Sequence, residues 1–179
     1  MSKVIFSEKQ TFRQVTWIWM IITPISLGVC GVMLYGCYQQ FVLNIPWGDR
    51  PISDTGLIVL TLATLLILAL TLWLMLAFEV SFEITDNEFR YRFFPYATRW
   101  KVLTPDRITR YSVAKYNIWG GYGLGYHKSL RSKTVRMIVK PDFVLTLSLA
   151  DGGNIIMSTT NKEETERAMR KLMLNSENT

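Results

Sequence analysis

The chain has 179 residues, 49% of them hydrophobic, with a formal charge of +6 and a pI near 9.4. That length accommodates one membrane module plus one small soluble domain and excludes two full domains. Two cysteines, Cys30 and Cys37, lie within one apolar run beside a single histidine elsewhere, which excludes a disulfide framework and a zinc cluster.

The placement of charge is more informative than its sum. Lys3, Lys9 and Arg13 precede the first apolar run, Arg50 alone lies between the two runs, and sixteen basic residues follow the second. Under the positive-inside rule both termini face the cytoplasm of a multi-pass inner-membrane protein, and only the loop 39–55 is external.

In chain order, residues 1–14 read as a cytoplasmic tail too short for a domain. Val15 to Tyr38 forms the first membrane helix of a hairpin spanning 15–80, with Trp17 and Trp19 at one interface and Tyr35 and Tyr38 at the other. Pro24 bends it, as a packed membrane helix tolerates. The run is too long for a signal peptide, and no small-x-small site follows it. In the loop, Phe41, Ile45 and Trp47 are expected at the outer interface. The second helix, Gly56 to Phe78, carries no charge and no proline, and fourteen of its residues are Leu, Ile, Val or Phe. At about 1.5 Å per residue it covers the hydrocarbon core of a bilayer. Glu79 marks its end.

From Val80 the hydrophobic period changes to two. Phe82 and Ile84 precede an Asp86-Asn87 turn, and Phe89, Tyr91 and Phe93 alternate with Glu88, Arg90 and Arg92 up to Pro95. Further strands are expected around Trp100 to Val102, Ile108 to Ala114, Val135 to Val139, Phe143 to Leu149 and Ile155 to Thr159. The stretch 115–133 is expected to be a loop. Thr160 and Glu163 read as a capping box that opens a C-terminal helix, supported by Glu163/Arg167 and Glu166/Arg170 pairs and presenting Ala168, Met169, Leu172 and Met173. Residues 175–179 are expected to fray. The expected fold is a transmembrane α-hairpin followed by a mainly-β (α+β) domain over 81–174, with seven antiparallel strands in a partly open barrel closed by one helix.

That order of elements, with Gly120-Gly121-Tyr122-Gly123-Leu124 and the run Val144 to Thr159 leading into a capped helix, resembles the bacterial pleckstrin-homology-like (PH-like) membrane proteins. The resemblance covers residues 80–174. It implies a membrane-anchored binding or scaffolding module and names no ligand. Gly125 stands where such proteins often place an arginine, so no arginine-dependent role is carried over.

No enzymatic constellation is assembled. A phosphate-binding loop ending at Lys128-Ser129 would need glycines where Tyr122 and His127 stand, and a helix where a strand follows. His127 is without a visible nucleophile and orienting acid. The expectation is a non-enzyme with no catalytic residue, cofactor or metal. What remains is a set of basic and aromatic residues, Lys115, Trp119, Tyr122, Tyr126, His127, Lys128, Arg131 and Lys133. They suit contact with an anionic leaflet or a partner, and the bland reading is that they close and solvate one end of the barrel. The same mixture can bind nucleic acid, which a membrane tether disfavours. Expected partners are membrane lipids and a membrane or cytoplasmic protein, with a homo-oligomer left open. In the alternative reading the chain is a subunit or assembly factor of a larger membrane complex, packing through Gly28, Cys30, Gly31 and Gly36 on its first helix.

Overall fold

A computed structural model of the chain describes residues 3–48, 50–117, 123–129, 131–140 and 142–177. The chain divides into two compact units, residues 15–76 on one hand and residues 1–14 with 77–179 on the other.

The first unit holds two helices, α1 (Thr16–Phe41) and α2 (Asp54–Ala77), both long and apolar enough to cross a membrane. At 1.5 Å per residue they measure about 39 and about 36 Å. Pro24 lies inside α1. Ser53 caps α2, its Oγ accepting from the Gly56 amide at 3.2 Å. Near the loop the helices are joined by polar contacts: Cys37 Sγ lies 3.4 Å from Thr61 Oγ1, and Gln40 Nε2 donates to Asp54 Oδ1 at 2.7 Å and to the Ile52 carbonyl at 3.0 Å. Trp47 folds back onto α1, where a Cβ on Gly36 would stand 2.7 Å from its ring. Gly28 and Gly31 have nothing within 4 Å of a built Cβ, so neither serves contact between α1 and α2.

The second unit is mainly β and is interrupted in sequence. Residues 1–14 are not a tail: Val4–Thr11 forms strand β1, followed by a 3-10 turn over Phe12–Gln14. The remaining strands are β2 (Glu79–Thr85), β3 (Phe89–Phe94), β4 (Ala97–Leu103), β5 (Ile108–Lys115), β6 (Gly125–Ser129), β7 (Thr134–Ile138), β8 (Phe143–Leu149) and β9 (Asn154–Thr159), and α3 (Lys162–Glu177) closes the chain. The expected seven strands are therefore nine among the described residues. They form two sheets, β1-β2-β3-β4 and β5-β8-β9-β7-β6. Nor are all pairs antiparallel, because β7 runs parallel to β9.

The period-two pattern has the expected consequence. Phe82, Ile84, Phe89 and Phe93 of the first sheet and Leu145, Leu147, Met137 and Met157 of the second are fully buried. Each such side chain contributes roughly 1.5–3 kcal/mol relative to exposure. From α3, Thr165, Ala168, Met169 and Leu172 are buried at helical spacing, whereas Met173 is only half-buried. The helix cap differs from expectation. Asn161 Oδ1 accepts the Glu164 amide at 3.2 Å, and the Thr160 hydroxyl donates instead to Glu8. Among the described residues the ion pair along α3 is Lys162–Glu166 rather than the expected Glu–Arg pairs, and the helix continues to Glu177.

β1 is tied to the second sheet by polar groups. Glu8 accepts from the Thr159 hydroxyl at 2.5 Å and from the amide and hydroxyl of Thr160, both at 2.7 Å. Gln10, 2% exposed, donates to Glu8 at 2.6 Å and accepts from Ser158 Oγ at 2.6 Å and the Lys140 amide at 3.3 Å. Ser158 Oγ in turn accepts from the Val139 amide at 3.0 Å. Such a network satisfies inward-facing polar groups that would otherwise destabilise the interior.

Candidate functional site

The residues singled out by sequence do not all come together. Lys115 ends β5 and is exposed, while Tyr126, His127 and Lys128 lie on β6, the opposite edge strand of the same sheet. His127 pairs in register with Arg136, and Tyr126 with Met137, so the two face opposite sides. Arg131 is exposed in the β6–β7 turn. Lys133 has φ +48° and donates from Nζ to the Asp151 carbonyl at 3.2 Å, a local structural contact. Trp119 and Tyr122, with the rest of 118–122, lie outside the described residues. The described ends of that loop are joined where the Tyr116 hydroxyl donates to the Gly123 carbonyl at 2.9 Å. Burial raises the Tyr116 pKa, against a smaller opposing effect of Arg136.

Tyr126 belongs to a different assembly, a chain of rings that the sequence reading did not single out. Its ring stacks on Tyr96 at 5.0 Å and meets Phe93 at 5.4 Å. Tyr96 also stacks on Phe78 at 5.9 Å, and Phe78 meets Phe12 at 5.4 Å and Phe93 at 5.7 Å. Phe93 is fully buried, yet Tyr96 is 61% exposed. The Tyr91 phenol, buried on the core side of β3, has its pKa raised by burial and then by Tyr126, with Arg107 partly opposing. The run Phe93-Phe94-Pro95-Tyr96 held the signal, because three aromatics around the expected end of a strand cannot all face one core.

Beside the rings, on the outward face of the first sheet, lies a charged cluster centred on Glu79. Its carboxylate pairs with Lys9 Nζ at 2.8 Å and Arg92 Nη2 at 2.8 Å and accepts from Ser81 Oγ at 2.8 Å. Burial by itself raises the Glu79 pKa. The Lys9 and Ser81 hydrogen bonds and the charges of Lys9 and Arg92 outweigh it and hold the group below the ordinary carboxylate range. The Arg92 guanidinium also lies over the Trp100 ring, 4.9 Å from its centroid.

Compared with family models, with curated proteins and with solved structures, the chain finds no match. The site must therefore be read from its own chemistry. Among the described residues no group of three or more His, Cys, Asp or Glu could hold a metal ion. Shallow depressions are lined by Asp86, Asn87, Pro105, Asp106, Asn175 and Ser176, and by a patch of β1 and α3 around Phe6 and Arg167. Neither brings a nucleophile beside a base. The arrangement offers aromatic surface and basic side chains, which are groups for binding.

Proposed function

We propose that this protein is a membrane-anchored binding or scaffold module. In this reading α1 and α2 cross the cytoplasmic membrane as a hairpin, and the two-sheet unit, a PH-like domain in a broad sense, lies at its inner face. The observation that carries it is the discontinuity of the β unit. β1 and β2 pair directly, Thr11 with Glu79, on either side of two apolar helices. A chain that leaves a sheet and returns to it must cross a bilayer an even number of times, and two spans meet that requirement. The basic excess outside the hairpin supports the cytoplasmic side for both termini.

The ligand is then a protein or lipid held without turnover. Carbonate extraction of membranes, combined with reporter fusions at residue 3 and in the loop 42–53, tests the anchor. Extraction into the soluble fraction, or reporters on one side, overturns it.

A second reading, a subunit or assembly factor of a larger membrane complex, draws on Gly28 and Gly31, beside which the chain itself places nothing within 4 Å. Small residues open on a membrane helix permit close approach of another helix. Gentle detergent purification separates the readings, since a stoichiometric partner retained by the hairpin alone favours the second.

A further inference from the structure

We propose that the corner where β3 turns into β4 is a lipid-contact surface, with Phe94 and Tyr96 in the interfacial layer and Arg13 and Arg99 meeting the phosphates of anionic phospholipids. The proposal rests on the reading of α1 and α2 as membrane spans.

Connectivity sets the depth of this corner. Phe78 is the single residue between Ala77, the end of α2, and Glu79, the start of β2. Its ring centroid lies 5.9 Å from that of Tyr96. However the β unit turns about that joint, Tyr96 stays within a ring or two of the end of an apolar helix. The other attachment repeats the constraint. Phe12, whose ring meets that of Phe78 at 5.4 Å, precedes Thr16, the start of α1, by only Arg13, Gln14 and Val15.

Exposure and charge identify the medium. Tyr96 is 61% and Phe94 36% exposed, although Phe93, whose ring Tyr96 meets at 6.0 Å, is fully buried. Amphipathic aromatic rings are favoured at headgroup level, where one edge is apolar and the other wet. No acidic residue occurs between Glu88 and Asp106 or between Glu8 and Asp49. Glu79, the carboxylate next to Phe78, is already bound to Lys9 and Arg92. Arg13 and Arg99 are exposed and form no ion pair among the described residues. The charge left over at the corner is positive, which fits an anionic leaflet.

The test uses the full chain reconstituted in phosphatidylcholine bilayers containing phosphatidylglycerol, with benzoylphenylalanine placed singly at Leu66, Tyr96 or Ser112 and photolysed. Lipid adducts are expected at Leu66, in α2, and at Tyr96, and none at Ser112, exposed on β5. Adducts at Leu66 without lipid adducts at Tyr96, or with protein adducts there instead, overturn the proposal and leave the membrane reading standing. Absence of lipid adducts at Leu66 overturns the membrane reading itself. Placing the probe at Phe94 gives the same readout if the Tyr96 substitution disturbs the stacked rings. Arg13→Gln and Arg99→Gln are each expected to lower the phosphatidylglycerol share of the adducts about fivefold. An unchanged share overturns the anionic preference.

Discussion

The backbone amide of Phe12 donates to the carbonyl of Phe78 at 3.3 Å, holding the start of a 3-10 turn against the residue that follows an apolar helix. Sixty-five residues of chain separate the two, so one hydrogen bond and one ring contact fix both attachment points of the hairpin.

The β unit is expected to fold without the hairpin, provided that β1 is kept. A variant joining Gln14 to Ala77 through a short flexible linker should give a β-rich circular dichroism spectrum and a cooperative urea transition. A fragment starting at Val80 should give neither, because it lacks β1, one of the two strands that flank β2, and with it the Glu8 and Gln10 groups that meet β9. Cooperative unfolding of the Val80 fragment would show that β1 is dispensable.

Glu8→Ala should destabilise the β unit by about 3 kcal/mol, since it strips an ionised acceptor from Thr159, Thr160 and Gln10 together. Gln10→Ala should cost about 1–3 kcal/mol, leaving Ser158 and the Lys140 amide short of an acceptor. Denaturant melts of the full chain in detergent provide the measurement. Glu8→Ala and Thr160→Val combined should cost less than the sum of the single effects, because they share one hydrogen-bonded group.

Stability should fall with acid through Glu79. Its folded pKa lies below the ordinary carboxylate value of 4.5, so the unfolded chain binds the proton first. The contribution is fully present above the unfolded value and is lost as pH drops through the folded one. Its partners Lys9 and Arg92 are substantially solvent-exposed, and the effect should stay under about 1 kcal/mol. Thermal melts between neutral pH and pH 3 should show a shallower decline for Glu79→Gln than for the unaltered protein. Identical pH profiles would count against the ion-paired geometry.

Gly36→Leu should displace Trp47 from α1, since even a Cβ there meets the indole at 2.7 Å. An overpacking cost of about 1–3 kcal/mol follows. At Gly28 and Gly31 an added Cβ meets nothing within 4 Å, and Gly28→Leu and Gly31→Leu should leave the monomer's stability unchanged. A change in assembly state for either, followed by sedimentation in detergent, would favour the complex-subunit reading.

Much of the fold was legible because its signals are local. Length and lack of charge mark α1 and α2, alternation marks β2, β3 and β8, and Asp86-Asn87 marks a turn. β1 was illegible for a physical reason. On its inward face Phe6 is followed by Glu8 and Gln10, paired in register with Phe82 and Val80. The groups that make such polar residues tolerable lie 130 to 152 residues away. The same distant carboxylate takes the Thr160 hydroxyl, which defeats the expected capping box. β6 was hidden because Gly125-Tyr126-His127-Lys128-Ser129 combines a glycine with the polar side chains of His127, Lys128 and Ser129 on an edge strand, where one flank needs no apolar partner. Of the candidate site, Tyr126 stands out in the sequence beside basic neighbours, while its ring partners are Phe93 of the other sheet and Tyr96 of the β3–β4 turn.

The split of the first sheet around the hairpin imposes an order on biosynthesis. β1 leaves the ribosome before either apolar helix, and its strand partner β2 is not synthesised until both have emerged. The acceptors on Glu8 and Gln10 then wait for β9, the last strand of the β unit. Placement of the helices therefore precedes completion of the β unit. Under the proposed membrane reading, a hairpin that inserted in the wrong number of passes would strand β1 across a bilayer from every residue that completes its hydrogen bonds, and the β unit could not then be completed.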